Sequence, residues 1–152
     1  MTRPVSRLDM RQSFPGSCHC GAIGFNYHTN RNPDKWSIRA CQCSFCRAHD
    51  ALSTSDSSGR IEFTNRDAGF LQRYRFGLKT ADFLLCGQCG VYVGAVIETD
   101  SGAFGIINVH ALLEFPANLA GLEPISYDNE NVDGRVSRRE ERWTPVNSLP
   151  WQ

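Results

Sequence analysis

Apolar and polar residues alternate with a period of two along most of the chain, beginning near Gly16. Ile23, Phe25 and Tyr27, for example, alternate with smaller or polar neighbours, which places the apolar side chains on one face of a strand. The segment 91–98 is more continuously apolar, so we expect a strand that is buried on both faces. The pattern predicts strands over 23–27, 36–40, 61–63, 71–76, 82–85, 91–98 and 104–109.

Near the C-terminus the spacing of apolar residues becomes helical. Val132 and Val136 lie one turn apart among charged residues, which predicts a helix over 131–142 that Pro145 terminates. Basic and acidic residues are interleaved in this segment, which favours a solvated helix face over a stripe that binds nucleic acid. They are Arg135, Arg138, Arg139 and Arg142, with Asp133, Glu140 and Glu141.

The length of the chain, 152 residues, fits one domain with a single core. Segment 1–15 has no apolar stretch after its arginines, so we interpret it as a flexible tail and not as a secretory signal. The predicted strands, together with a serine-rich loop over 53–60, place a β domain at 16–127. We expect the helix and tail at 128–152 to pack on that domain.

Basic and acidic residues are equal in number at 16 each, so the formal net charge is zero. A neutral chain has no overall field that would draw it to nucleic acid or to an anionic membrane. The longest apolar run, 91–97, is far shorter than the roughly 20 residues that span a bilayer. We therefore expect no nucleic-acid partner and no membrane association. Because no secretory signal is evident, we expect a cytoplasmic location, where thiols stay reduced.

Seven cysteines fall into three short clusters. An odd number leaves one thiol outside any set of disulfides, whereas four plus three thiolates match one closed and one open tetrahedral zinc site. Cysteines two apart on an extended segment point to the same side, and a C-x2-C turn lets both sulfurs reach one ion. The clusters are Cys18 and Cys20, then Cys41, Cys43 and Cys46, then Cys86 and Cys89.

The clusters divide between a structural and a catalytic zinc ion. A structural ion stabilises most when it joins distant parts of the chain, which pairs the first cluster with the last in a closed four-thiolate site. The predicted ligands of that site are Cys18, Cys20, Cys86 and Cys89. The middle cluster then holds a labile zinc ion with one coordination position open to substrate. In an alternative interpretation, His49 closes this second site and makes it purely structural.

The sequences around the cysteines form three recognisable motifs. They are GSCHCGA at 16–22, CQCSFCR at 41–47 and LCGQCG at 85–90. In the order and spacing of all seven cysteines the chain resembles the glutathione-dependent formaldehyde-activating enzymes and their relatives, which include centromere protein V. A weaker likeness extends to the end of the chain near Pro145. The resemblance implies a mainly β fold of small coiled antiparallel sheets organised around zinc, with a short C-terminal helix.

The resemblance also implies a zinc-dependent carbon–sulfur lyase or synthase that acts on an adduct of glutathione, or a similar thiol, with formaldehyde or another small aldehyde. On this interpretation Cys41, Cys43 and Cys46 are the catalytic metal ligands. Arg47 either binds a substrate carboxylate through its planar guanidinium or forms a surface salt bridge. Relatives often have glycine soon after this arginine. Here His49 follows, and we expect it to contact substrate as a base or to orient the metal ligands.

The same cysteines also fit a non-catalytic zinc-binding interaction module. A module that binds chromatin would be expected to carry a long basic tail, whereas this chain is neutral and its tail is short. An oxidant sensor is disfavoured because metal-bound, buried thiolates react poorly with oxidants. The sequence therefore favours the enzyme.

Overall fold

The computed structural model describes residues 12–119 and 121–151 of the chain. Within them, eleven strands join into one open sheet and two α-helices flank it. The strands are β1 (Gln12–Ser17), β2 (Ile23–Thr29), β3 (Arg39–Cys41), β4 (Ser53–Thr54), β5 (Arg60–Asn65), β6 (Leu71–Tyr74), β7 (Asp82–Cys86), β8 (Tyr92–Thr99), β9 (Gly102–Asn108), β10 (Glu123–Ile125) and β11 (Thr144–Ser148). The helices are α1 (Ser44–His49) and α2 (Val132–Arg142).

Strand β9 is the branch point of the sheet. It pairs with β8 along one edge and with both β4 and β11 along the other. The main path runs β1-β2-β5-β11-β9-β4-β3-β10, and β8, β7 and β6 extend the sheet from β9. Most pairings are antiparallel, whereas β10 with β3 and β11 with β5 are parallel. The predicted mainly β fold with a helix near the C-terminus is confirmed.

Strand β8 lies between two hydrophobic clusters, which confirms that it is buried on both faces. Its first six residues are all buried. Val93 and Val96 belong to the larger cluster, whereas Tyr92 and Ile97 belong to the smaller one. The smaller cluster also contains Cys46, so one cysteine of the middle motif is anchored directly in the core.

The strand predicted over 36–40 is much shorter in the structure, where only its end contributes to β3. Trp36 and Ile38 are each 2% exposed, but neither lies in a strand. The indole nitrogen of Trp36 instead donates a hydrogen bond to the carbonyl of Arg31, at 3.1 Å. The apolar alternation in this segment therefore reflects burial of side chains and not pairing in a sheet.

Two predicted irregular segments contain strands. Residues 12–15 are not part of a tail, because β1 pairs with β2 from Gln12 onward; residues 1–11 lie outside the described part of the chain. The predicted loop over 53–60 begins with the buried strand β4. Its polar side chains tolerate burial because they are hydrogen-bonded: Asp56 accepts from the Thr29 hydroxyl at 2.6 Å, and its amide donates to Thr144 at 2.8 Å.

The predicted C-terminal helix is present as α2. Asn131 caps it, because its side-chain oxygen accepts a hydrogen bond from the amide of Gly134 at 2.8 Å. The helix ends at Arg142, as predicted; Trp143, which follows it, is buried, and the chain then enters β11 at Thr144, so Pro145 lies in a strand. No helix in the described ranges has the length and apolar character needed to cross a membrane.

Candidate metal centres and the adjoining cavity

The first and last cysteine motifs converge as predicted. All four sulfurs lie within 4.8 Å of one another. The Sγ atoms of Cys18 and Cys20 are 3.7 Å apart, and those of Cys20 and Cys86 are 3.5 Å apart. Four thiolates bound tetrahedrally at about 2.3 Å would be separated by about 3.8 Å, whereas a disulfide requires about 2.05 Å. The donor set therefore fits a metal ion and not a disulfide. The four ligands are Cys18, Cys20, Cys86 and Cys89.

Each pair of cysteines in this four-cysteine centre lies on a tight turn, which directs both sulfurs toward the centre. The amide of Gly21 donates to the carbonyl of Cys18 at 3.1 Å, and the amide of Gly90 donates to that of Cys86 at 2.8 Å. Both glycines have positive φ, 86° and 81°, a conformation that other residues adopt only with strain. The glycines beside the cysteines in sequence are thus required by the turns that form the centre.

Backbone amides also stabilise charge on these sulfurs. The amide of Cys89 donates to the sulfur of Cys86 at 3.4 Å. Burial raises the pKa of the Cys86 thiol to about 11. Burial also raises the pKa of Cys89, but hydrogen bonds from the backbone of Val91 and Cys20 outweigh it and bring that pKa down to about 6. One thiol of the pair is therefore ready to bind a cation as thiolate near neutral pH.

The middle motif forms a second centre at the start of α1. The sulfurs of Cys41, Cys43 and Cys46 lie within 4.8 Å of one another. Cys41 ends β3, and Cys43 caps α1 by accepting a hydrogen bond from the amide of Cys46 at 3.4 Å. The end of β3 and the first turn of α1 thus bring all three sulfurs together. A set of three protein ligands leaves one position of a tetrahedral ion for another group.

Within the three-cysteine centre, the thiols of Cys41 and Cys46 shift each other's pKa in opposite directions. The Cys46 thiol donates a hydrogen bond that lowers the pKa of Cys41 to about 5. The same interaction, with burial second, raises the pKa of Cys46 far above its usual range. Closely spaced thiols retain a proton between them, and a divalent cation would replace it.

A cavity of about 530 Å³ adjoins the three sulfurs. Arg47 lies on its wall. His49 is not among the lining residues, and its imidazole packs on the ring of Phe45 with centroids 4.5 Å apart. In the described chain, the ligand atoms that converge at this centre are the three sulfurs alone. The alternative in which His49 closes the site is therefore wrong for this structure.

Four further arginines line the same cavity, and sequence reasoning missed them. The prediction of a solvated arginine face on α2 is wrong: Arg139 is 7% exposed, and the side chains of Arg135 and Arg138 are 18% and 16% exposed. Only Arg142 of the helix arginines is exposed. The signal in the sequence was the helical spacing of 135, 138 and 139, which puts three guanidiniums on one face. The missed residues are Arg39, Arg135, Arg138 and Arg139.

The cavity arginines differ in how their charge is balanced. Glu130 accepts hydrogen bonds from Arg138 at 2.7 Å and from Arg135 at 3.2 Å. Arg138, with Arg135, holds the pKa of the Glu130 carboxyl below its ordinary value. Among the described residues, Arg39 donates one side-chain hydrogen bond, to the hydroxyl of Ser55 at 2.8 Å. Burial lowers the pKa of Arg39, because the charged form of the guanidinium loses solvation.

The apolar side of the cavity is aromatic. Phe76 and Phe83 line it with ring centroids 4.7 Å apart, and Trp143 also lines it. Behind Phe83, Tyr92 is 1% exposed, and its hydroxyl has no hydrogen-bond partner among the described residues. Burial, followed by the charges of the three cysteines, raises the pKa of Tyr92 well above its usual value, so the phenol keeps its proton.

Comparison with known proteins supports the fold. The crystal structure of a Rhodobacter sphaeroides protein is similar to this chain with a TM-score of 0.54 and 28% sequence identity, over 73% of this chain and 99% of that one. No family model matches the chain. No curated protein matches it either. The metal centres and the cavity therefore provide the basis for a functional assignment.

Proposed function

We propose that the protein is a zinc-dependent carbon–sulfur lyase or synthase that acts on an adduct of glutathione, or a similar thiol, with formaldehyde or another small aldehyde. One observation carries this proposal: three cysteine sulfurs converge at the edge of a cavity and leave the fourth ligand position to a molecule bound there. Soft thiolate donors in a tetrahedral arrangement favour zinc. The three motifs resemble those of the formaldehyde-activating enzymes.

The reaction requires a thiol and an aldehyde to meet in a fixed orientation. In the forward direction a carbon–sulfur bond forms, and the thiol proton moves to the carbonyl oxygen, which gives a hemithioacetal; the reverse reaction restores thiol and aldehyde. No electrons are exchanged with another molecule. A zinc ion at the three cysteines would act as a Lewis acid for the sulfur or the oxygen. Bringing both reactants into one cavity makes their addition effectively intramolecular.

The residues of the chain have distinct roles in this proposal. Cys41, Cys43 and Cys46 hold the ion. Arg47 lies on the cavity wall, where its guanidinium can bind a carboxylate of the thiol. Phe76 and Phe83 give the cavity an apolar lining. This arrangement favours an enzyme over a non-catalytic zinc module, because a module has no need of a cavity beside an open ligand position.

The four-cysteine centre has a structural role in the proposal. Its sulfurs join the β1–β2 connection to the turn that follows β7, and a zinc ion there would add its binding energy to folding. We place the protein in a reducing compartment such as the cytoplasm, since all seven cysteines are free thiols and two groups of them are arranged to bind metal.

The proposal is tested by nuclear magnetic resonance on glutathione mixed with carbon-13-labelled formaldehyde. Magnetisation transfer measures exchange between free aldehyde and the hemithioacetal. The zinc-replete protein is expected to accelerate this exchange, and Cys43→Ser protein at the same concentration is the matched control. An exchange rate that equals the rate without protein, while elemental analysis shows two zinc ions per chain, would overturn the enzyme assignment.

A further inference from the structure

We infer that Arg139, together with Arg39, forms an anion subsite that receives a carboxylate of the ligand held at the three-cysteine centre. This inference builds on the proposed function and narrows its substrate class to thiols, or thiol adducts, that carry a carboxylate within reach of the cavity wall. It differs from a contact at Arg47, because Arg47 is exposed whereas Arg139 is buried.

Arg139 is a buried cation whose hydrogen bonds are incomplete. It is 7% exposed and lines the cavity. One terminal nitrogen donates to the hydroxyl of Thr80 at 2.7 Å, and the guanidinium carbon lies 4.6 Å from the ring centroid of Trp143. Its Nε atom is buried and has no hydrogen-bond partner among the described residues. Burial, with Arg138 second, lowers the pKa of Arg139 to about 10, so the group is still charged at neutral pH.

No carboxylate of the described residues lies within 4.0 Å of the Arg139 nitrogens. A buried charge without a counter-ion is costly, and an anion in the cavity would offset that cost. The neighbouring arginines of the same helix show the contrast, because Arg135 and Arg138 both pair with Glu130. The guanidinium of Arg139, the most buried arginine of α2, is therefore available to bind an anion from outside the chain.

Arg39 supports Arg139 in this role. It also lines the cavity, and its one hydrogen bond goes to the neutral Ser55 hydroxyl. Within the described ranges it likewise has no carboxylate within 4.0 Å. Both guanidiniums line the same cavity, and each can bind a carboxylate oxygen there through charge-assisted hydrogen bonds.

The cavity arginines carry more positive charge than is needed to balance the negative charge of the three-cysteine centre. Three thiolates and a divalent ion keep a single negative charge, and Asp128 adds one more on the wall. Arg39, Arg47 and Arg139 provide three positive charges, and no carboxylate in the described part of the chain lies within 4.0 Å of their nitrogens. Arg135 and Arg138 share the single carboxylate of Glu130 and add one further positive charge, so two positive charges remain on the cavity wall for a bound anion.

The test uses two thiols of the same size that differ in charge: 3-mercaptopropionate and 3-mercaptopropionamide. Each is titrated calorimetrically into the zinc-replete protein, and the visible spectrum of the cobalt(II)-substituted protein reports sulfur coordination. Because a hydrogen bond to a charged group is worth roughly a tenfold change in affinity or more, the acid is expected to bind about tenfold more tightly than the amide. Cysteamine, which carries a positive charge, is expected to bind less tightly than both.

Three variants assign the preference to the subsite. Arg139→Gln and, independently, Arg39→Gln are expected to bring the two affinities to within about threefold of each other, because a neutral amide forms weaker hydrogen bonds to a carboxylate. Arg142→Gln is the matched control, since Arg142 lies on the same helix, is exposed and does not line this cavity. It is expected to keep the full preference. Circular dichroism establishes that each variant is folded.

The outcomes separate this inference from the proposed function. If the wild-type protein binds both thiols equally, or if both glutamine variants keep the preference, the anion subsite is refuted while sulfur coordination stands. If neither thiol changes the cobalt(II) spectrum, the proposed function fails, and glutarate then probes the subsite without a thiol. Glutarate binding that is lost in Arg139→Gln would support the subsite on its own, and absence of glutarate binding to the wild type would refute it.

Discussion

The sulfurs of Cys20 and Cys86 lie 3.5 Å apart although 66 residues separate them in sequence. A metal ion shared between them closes a long loop, and a structural zinc site contributes about 10–16 kcal/mol of binding energy. We therefore expect Cys86→Ser to lower the free energy of unfolding by more than about 3 kcal/mol, a large part of the about 5–15 kcal/mol typical of a domain. Urea unfolding followed by circular dichroism measures the change.

The matched control for Cys86→Ser is Cys46→Ser, which removes a sulfur of equal size from a buried position of the other centre. We expect the control to remain folded in the same buffer. If both variants unfold at the same urea concentration as the wild type, the four-cysteine centre does not hold a structural ion.

Cys43→Ser is expected to reduce the metal content from two ions per chain to one without loss of the fold. Serine at this position can still cap α1, because its hydroxyl can accept the amide hydrogen bond that the sulfur accepts now at 3.4 Å. The helix should therefore survive while one of three metal ligands is lost. Elemental analysis and far-ultraviolet circular dichroism together measure the outcome. A variant that keeps two ions would show that Cys43 is not a ligand.

A chelator is expected to remove the ion at the three-cysteine centre first. This centre faces a cavity and offers three sulfurs with one open ligand position, whereas the other centre offers four sulfurs, of which those of Cys18 and Cys86 belong to buried residues and that of Cys20 to an exposed one. Titration with 4-(2-pyridylazo)resorcinol should show one fast and one slow phase, and the β-sheet signal should persist after the fast phase. Loss of both ions in a single phase together with the fold would contradict this order.

The two groups of cysteines that could hold metal were predicted from the sequence, because each cysteine motif is a local chelating unit. The spacing of Cys41, Cys43 and Cys46 is enough to bring their sulfurs together around a short turn. Their convergence does not depend on contacts with distant parts of the chain. The continuous apolar run that marks β8 is equally local. These local features need no knowledge of which distant elements meet, whereas the pairing of the first motif with the last was predicted from the entropy of loop closure.

The arginine-lined cavity could not be predicted in this way, because it depends on which face of α2 meets the sheet. The two valines indicated a buried stripe, yet Val132 is 46% exposed and Arg139 is buried. Burial of β4 has a similarly distant cause. The amide of Asp56 bonds to Thr144, 88 residues away, and a polar segment gives no local sign of such a partner.

Acid is expected to weaken the wild-type protein more than Glu130→Gln protein. Arg138, then Arg135, lowers the pKa of Glu130 in the folded state relative to the unfolded chain. This carboxylate therefore stabilises the fold fully above its unfolded pKa of about 4.3, and its contribution is lost as the pH falls through the folded pKa. We expect a stability difference of about 1–2 kcal/mol at pH 7 that disappears in acid.

The comparison of wild type with Glu130→Gln is made at each pH because protonation of cysteines also releases metal in acid. Both proteins contain the same seven cysteines, so metal loss affects them equally and cancels in the difference between their free energies of unfolding. Urea unfolding of the two proteins from pH 7 to pH 3 measures this difference. A difference that stays constant over this range would show that Glu130 is not stabilised by its arginines.

Tyr92→Phe is expected to stabilise the protein by about 1 kcal/mol, since a buried hydroxyl without a hydrogen-bond partner costs about 1–3 kcal/mol. The ring itself should stay in place, because its contact with Phe45, at 5.1 Å between centroids, does not involve the oxygen. Tyr74→Phe is the control: Tyr74 is 50% exposed, so its hydroxyl is solvated in both states and the change should be within about 0.5 kcal/mol.

The sign of the Tyr92→Phe effect also tells whether the hydroxyl acts on the three-cysteine centre. After burial, the charges of Cys46, Cys41 and Cys43 are the next causes that raise the pKa of Tyr92. If the loss of the hydroxyl destabilises zinc-replete protein but not the Cys43→Ser background, the two sites are coupled and the phenol donates a hydrogen bond to a group at that centre. If the substitution stabilises both backgrounds equally, the hydroxyl is an unpaired group of the core, as the structure indicates.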